Sequence, residues 1–387
     1  MKHIDFIITN PSHHVLITLP VARELQKRGV SVRYISLCEV RKFKTPIKLF
    51  TDTKMEYCYF DIDIPKSKTS REQKKITLIS RIKSRILRDV FWVVVLRKKL
   101  MLWLKDSTHV VMLNDSSYPS NYIIRLLKRS SAKIILMQEG IRFPLPVEKE
   151  TKYGNSGIDY LIAWGRKSAS YFETVVQEKT KVLSLGSPGY DKSLYIQMPL
   201  SSIPEKIKRV AIFGNPVDDQ KFVTAQEKMD LYLDLARVLV DYSQKNGRKL
   251  EIVFKNHPRE SPELLRRILK ENGMKHIKVY ESTSDVDIVI NTIDAGIVFA
   301  STVGINVILH GKKLAVVKLK EYDYLGDYVQ DGVAYGLDVY SPEIYEQLDS
   351  FLSNEHYCFR NYRNYLDEFA SNSGKSDKAI ANFMLEL

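Results

Sequence analysis

Short runs of branched apolar residues recur along this chain, and each is followed by a segment whose apolar residues fall at helical spacing. In the first half the runs are Ile4–Thr9, Val30–Ser36, His109–Leu113, Ile134–Met137, Tyr160–Trp164 and Val182–Leu185. In the second half they are Arg209–Gly214, Lys249–Phe254, His276–Tyr280, Ala295–Phe299 and Leu314–Val317. Continuous apolar runs suit strands buried on both faces, and their alternation with helices predicts parallel sheets wound from βαβ units. The opening is the clearest unit. Strand Ile4–Thr9 leads through Asn10-Pro-Ser-His-His14 into a helix over Val15–Arg28, with Val15, Leu19, Ala22 and Leu25 on one face and Gly29 at its end.

A chain of 387 residues exceeds one ordinary core and predicts two domains. The turn-rich Gly186-Ser-Pro-Gly-Tyr-Asp191, with the polar stretch after it, is the natural boundary. The expected architecture is therefore α/β, with a Rossmann-like domain over 1–190 and a second over 191–387, facing a central cleft. The final segment reads as helical and can cross back to the first domain.

Bulk properties narrow the class. Cys38, Cys58 and Cys358 are sparse and far apart, which fits reduced thiols and neither a disulfide framework nor a zinc site. Ile4-Asp5-Phe6-Ile7-Ile8 is too short, and is interrupted by an acid, to serve as a secretory leader, and no apolar run reaches the length of a membrane span. The expectation is a cytoplasmic protein. Of the net charge of +13, residues 1–150 carry 29 Lys+Arg against 14 Asp+Glu, while the remainder is close to balanced. No nucleic-acid-binding module accompanies this excess, so nucleic acid is not an expected partner. An acidic acceptor or the anionic inner face of the plasma membrane fits better. The stretch Ile76–Lys105, where basic residues stand beside Phe91, Trp92 and Trp103, reads either as an interfacial anchor or as ordinary helices packed on the sheet.

The strand ends carry the candidate chemistry, because open parallel sheets bind ligands at their carboxyl edges. Phe254-Lys-Asn-His-Pro-Arg-Glu260 ends a strand in a His-Pro pair, where Pro258 fixes the backbone and His257 projects an imidazole able to stabilise a departing phosphate. Lys255 adds positive charge. Gly296-Ile-Val-Phe-Ala-Ser-Thr-Val-Gly304 delivers Ser301 and Thr302 to a helix start, as phosphate ligands or as routine caps. Gly214 and Asn215 end the first strand of the second half and are grouped with the donor site. In the first half Glu139 ends a strand just before Gly140 and is the candidate general base, or else a loop acid paired to Arg142. Asp115 and His14 are alternative bases, and His13, His14, Asp115 and Arg142 are candidate acceptor contacts. There is no GxGxxG, HExxH or GxSxG motif and no metal-spaced His/Cys group, so neither a dinucleotide cofactor nor a metal is expected.

Gln138-Glu139-Gly140, His257-Pro258 and Ser301-Thr302 occur in the order and spacing of bacterial GT-B glycosyltransferases. They most resemble the sialyltransferase and polysialyltransferase group, with relatives in capsule, Kdo and CDP-glycerol transfer. The resemblance implies a metal-independent transferase that moves a sugar, in the first instance a CMP-linked nonulosonic acid such as sialic acid or Kdo, to a hydroxyl of a cell-surface or lipid-linked glycan. It implies that His257, Ser301 and Thr302 hold the donor phosphate. The first acid of the family's acid-acid-Gly triplet is Gln138 here, so either the base falls to Glu139, Asp115 or His14, or the donor is not a CMP-sugar. A UDP-sugar or CDP-glycerol donor on the same fold, and a non-hydrolysing UDP-sugar 2-epimerase, are the alternatives.

Overall fold

A computed structural model describes residues 2–62, 86–141, 152–191, 207–247, 249–324, 328–353 and 359–387. Arg142, Cys358 and the 76–85 part of the basic helical stretch lie outside these residues. Contacts divide the chain into two units, one built on Met1–Glu139, Thr151–Lys192 and Phe369–Leu387, the other on Gly140–Glu150 and Ser193–Glu368.

The first unit contains strands β1 (His3–Ile8), β2 (Ser31–Ser36), β3 (Glu56–Tyr59), β4 (His109–Met112), β5 (Lys133–Met137), β6 (Tyr160–Ala163) and β7 (Lys181–Ser184). They form one sheet in the order β3-β2-β1-β4-β5-β6-β7, with every pairing parallel. Side chains alternate between the faces, as a strand dictates. Ile7, Val110, Met112, Ile134 and Leu136 pack on one side with Leu96, Leu100, Ile123 and Leu127. Ile4, Phe6, Ile8, Val111 and Ile135 pack on the other with Val15, Val21, Ala22 and Leu25. Both faces are covered, which explains why the strands read as continuous apolar runs. The acid within β1 is accounted for by a buried ion pair, since Asp5 is fully buried and accepts from Arg33 Nε at 2.8 Å and from a second guanidinium nitrogen at 3.1 Å.

The second unit contains β8 (Arg209–Phe213), β9 (Glu251–Lys255), β10 (Lys278–Tyr280), β11 (Ala295–Val298), β12 (Lys313–Val317) and β13 (Tyr335–Leu337). Its sheet runs β10-β9-β8-β11-β12-β13, again all parallel. From β8 the chain winds first to one side and then to the other, the doubly wound order whose reversal point is the usual ligand position.

Two sequence expectations need correction. The first helix spans His13–Lys27, so His13 and His14 lie in its first turn and not in the preceding loop. The start is set by Asn10, whose side-chain oxygen accepts from the Ser12 and His13 N–H groups at 3.0 Å each. Strand β13 had no signal in the sequence: it is three residues long, contains Gly336, and is recognisable only by its pairing with β12.

The C-terminal helix Ser376–Glu386 packs on the helix His13–Lys27 and places Ile380, Ala381 and Met384 in the first unit's core. The boundary segment holds it there. Asp191 accepts from Gly374 N–H and Ser376 N–H at 3.0 Å each and from the Ser376 hydroxyl at 2.7 Å. Gly186, at φ +106°, lies so close to the Ser371 carbonyl that a Cβ would sit 2.3 Å from that oxygen. Gly186-Ser-Pro-Gly-Tyr-Asp191 is thus the anchor of the tail. Asp191→Ala should strip three donors of their acceptor and cost roughly 2–4 kcal/mol in denaturant unfolding, with faster tryptic cleavage at Lys378 as the local readout. Unchanged stability and cleavage would refute the anchoring role.

Candidate functional site

In the second unit the residues predicted for the donor lie at the carboxyl ends of three adjacent strands, β9, β8 and β11. Gly214 and Asn215 leave β8 in the middle and stitch its neighbours together. The Asn215 side-chain amide donates to the Ala300 carbonyl at 2.7 Å, tying β8 to the Ser301 turn. On the other side, a Cβ on Gly214 would lie 2.4 Å from Glu260 Oε2, so a larger residue there would displace the Glu260 carboxylate from its present position.

Glu260 organises that loop. Its Oε2 accepts from the His257 N–H at 3.0 Å, and its Oε1 lies 3.1 Å from Lys228 Nζ and 3.2 Å from the Tyr232 hydroxyl. Lys228 also reaches Asp218 at 2.7 Å, and the Tyr232 hydroxyl accepts from the Asn215 N–H at 2.8 Å. Burial alone would pull the Lys228 ammonium down, but Asp218 and Glu260 outweigh it and raise its pKa. The ammonium therefore stays charged, as a buried carboxylate requires of its partner. Sequence reasoning missed Lys228 and Tyr232. They lie four residues apart on the helix Ala225–Lys245, hence on one face, but a helical lysine ordinarily reads as solvated.

His257 itself is half-buried. Its Nδ1 accepts from the Arg259 N–H at 3.1 Å, which leaves the proton on Nε2. Burial, followed by the positive charges of Arg259 and Lys255, pushes its pKa down to about 4. The resting imidazole is thus a neutral hydrogen-bond donor through Nε2. Lys255 is buried, and its ammonium is committed to the carbonyls of Asn256 (2.7 Å) and Ser282 (3.0 Å), so it contributes local field and loop shape. Pro258 is exposed.

Ser301 and Thr302 are partly exposed at the end of β11. The Ser301 hydroxyl accepts from the Val303 N–H at 3.3 Å, and the Tyr328 hydroxyl donates to the Ser301 carbonyl at 3.0 Å. The helix that follows, Val303–Leu309, has only seven residues. Its dipole is correspondingly short, so the helix start offers less to an anion than the sequence pattern suggests. Tyr328, another residue the sequence did not mark, packs against Gly304, where a Cβ would meet its ring at 2.8 Å.

In the first unit His14 and Glu139 come together. His14 is buried, its Nδ1 accepts from the Thr9 N–H at 3.3 Å, and its Nε2 is therefore the protonated nitrogen that faces Glu139 Oε1 at 3.3 Å. His13 Nε2 donates to the Glu139 carbonyl at 2.7 Å, and the Glu139 N–H donates to the Tyr153 hydroxyl at 3.1 Å. The carboxylate is thus held at both backbone and side chain while 26% exposed. His14 is its orienting donor and carries no lone pair toward it.

Asp115 and Gln138 have other work. Asp115 is fully buried and accepts from the Gly154 N–H at 3.0 and 3.1 Å and from the Ser156 N–H at 3.1 Å, with burial raising its pKa against those bonds. The carboxylate thus closes the Gly154–Ser156 turn. Gln138 accepts from the Trp164 N–H at 2.8 Å and donates to Ser168 Oγ at 3.1 Å, tying the end of β5 to β6. That position needs an acceptor and a donor on one side chain, and an amide supplies both where an acid would not. Among the described residues, no group of three His, Cys, Asp or Glu could hold a metal ion.

Residues 205–334 match the family model described as Capsule polysaccharide biosynthesis protein. No curated protein matches the sequence. The fold is that of two-unit parallel α/β glycosyltransferases and nucleotide-sugar epimerases. S. aureus MnaA with UDP aligns over 99% of this chain and 96% of its own at 14% identity and TM-score 0.62. The Methanocaldococcus jannaschii UDP-GlcNAc 2-epimerase, in complex with UDP-GlcNAc and UDP, aligns over 100% of both chains at 12% identity and TM-score 0.61. The wall teichoic acid polymerase TagF, soaked with CDPG, aligns over 100% of this chain and 88% of its own at 15% identity and TM-score 0.54.

The His257 environment predicts a pH signature. An unfolded histidine titrates near 6.5, and the folded one near 4. As pH falls through this window the unfolded chain binds the proton first, so stability is complete above about 6.5 and is lost progressively down to about 4. Imidazole NMR should place the His257 midpoint near pH 4, and His257→Gln should flatten that part of the stability profile. A midpoint at or above 6.5 would contradict the geometry.

Proposed function

We propose that this protein is a glycosyltransferase that moves a sugar from a nucleotide-activated donor to a hydroxyl of a surface-polysaccharide acceptor, with no metal in the chemical step. The observation that carries this reading is the His257 Nε2–H donor at the same sheet edge as the Ser301 and Thr302 hydroxyls, beside the β8 reversal point. The capsule-biosynthesis model covers all three residues, which supports the substrate class.

The second unit binds the donor and the first supplies the base. Glu139 takes the proton of the acceptor hydroxyl, whose oxygen forms the new bond to the anomeric carbon. The bond from that carbon to the phosphate oxygen breaks, and its electron pair stays on the phosphate. Charge developing there is met by the His257 Nε2–H and the two hydroxyls. Donors fixed before reaction stabilise such charge without reorganising, and removing one typically lowers kcat by about 10²–10³. Attack opposite the leaving group gives inversion. The motif pair favours a CMP-linked nonulosonic acid as donor, with a UDP-sugar or CDP-glycerol as alternatives suggested by the UDP and CDPG bound to the neighbours.

A second reading, 2-epimerisation of a UDP-sugar, is favoured by the epimerases among the structural neighbours. It predicts turnover of UDP-GlcNAc with no acceptor present, which a transferase would not show.

A thermal-shift panel of CMP, UDP and CDP should single out one nucleotide, with about 2.7 kcal/mol of stabilisation at a hundredfold excess over Kd. His257→Ala should lower kcat by about 10²–10³. Glu139→Gln should lower kcat while leaving nucleotide affinity unchanged. Full transfer by His257→Ala would remove the donor-site assignment.

A further inference from the structure

Residues 86–103 form a helix broken by a π turn at Trp92–Leu96. One face is buried through Trp92, Leu96 and Leu100 in the first unit's core. The opposite face is apolar as well. Ile86, Leu87, Val90, Val93, Val94 and Leu102 are 53–71% exposed. Large apolar side chains are normally exposed singly, and a stripe along one helix marks an interaction surface. The π turn lies within it and carries the exposed Val93 and Val94, and such turns recur at functional sites.

Beside this stripe lies an open pocket of about 480 Å³, within the size range of small-ligand sites. Arg97, Arg125 and Arg129 line it together with Trp92, Val93, Tyr122 and Asp89. Asp89 is engaged by the Tyr122 hydroxyl, and Arg125 lies 5.6 Å from the centre of the Tyr122 ring. No described acid forms an ion pair with any of the three arginines. Val93 belongs to both features, so apolar stripe and cationic pocket are continuous.

We propose that this surface docks the protein on a bilayer containing anionic phospholipid, with the stripe entering the acyl boundary and the arginine pocket holding lipid phosphates. The pairing of features selects the occupant. An apolar protein partner would leave three uncompensated guanidinium groups, and a soluble anion would leave the apolar stripe in water. An anionic membrane satisfies both at once. No described helix is long and apolar enough to cross a membrane, so the helix would lie in the interface plane.

The test is vesicle co-sedimentation of the full chain on phosphatidylcholine, with and without phosphatidylglycerol. Binding should require phosphatidylglycerol and resist competition by soluble glycerol phosphate. Each arginine near an anionic surface is worth about fivefold in partitioning, so Arg97→Gln/Arg125→Gln/Arg129→Gln should bind about 100-fold more weakly. Val93→Ser/Val94→Ser/Leu102→Ser should also lose vesicle binding. Both variants alter exposed side chains and should keep the parent's unfolding midpoint and nucleotide affinity. Undiminished binding of either triple variant, binding to phosphatidylcholine alone, or self-association abolished by the same substitutions in a protein that ignores vesicles would each overturn the proposal.

Discussion

Strand β8 is flanked by β9 on one side and β11 on the other, each reached by winding in an opposite sense. The two loops that leave those neighbours therefore come to the end of β8 from opposite sides. The absence of a side chain at Gly214 and the amide of Asn215 then fix how far apart the two loops stand. One accepts the close approach of Glu260, and the other grips Ala300. The position of the imidazole relative to the hydroxyl pair is thus a property of sheet topology, sharpened by two residues of the central strand's turn.

Around that edge the electrostatics are layered. Lys228 is held between Asp218 and Glu260, so the charge that orients the His257 loop is neutralised beneath the surface. The imidazole itself is kept neutral by burial and by neighbouring cations. An anion arriving there meets a directed N–H, beside an Arg259 that is paired with Asp219 at 3.0 Å and a Lys255 that is bonded to two carbonyls. A histidine already paired to a carboxylate would have had its proton committed in the resting protein. His14 in the first unit is the contrasting case, since its Nε2–H is already turned toward Glu139.

Much of this was legible in the chain. Strand runs such as Ala295–Phe299 and Ile134–Met137 are apolar on both faces because helices cover both, and that pattern is local. The strand-end residues could be named for the same reason. What escaped was whatever depends on partners distant in sequence. Lys228 looks solvated until Asp218 and Glu260 are brought to it, and Asp115 looks like a free acid until the Gly154–Ser156 turn closes over it. Gln138 reads as the loss of a family acid, although its two bonds to Trp164 and Ser168 give it a separate reason to be an amide. The first helix began two residues earlier than its apolar spacing implied because a single asparagine supplied the cap. Strand β13 is too short for any period to show.

The tail helix has a consequence for biosynthesis. Ile380, Ala381 and Met384 fill one face of a sheet whose strands all come from the first half of the chain. While a ribosome is still translating the second unit, that face is covered by the helix His13–Lys27 without its partner, and the part the tail will occupy stays open to water. The amino-terminal part consequently cannot reach its final packing first, as nascent multidomain chains generally do. Its maturation waits for the last turn of helix to be made, and a chaperone would meet a half-closed sheet in the interval.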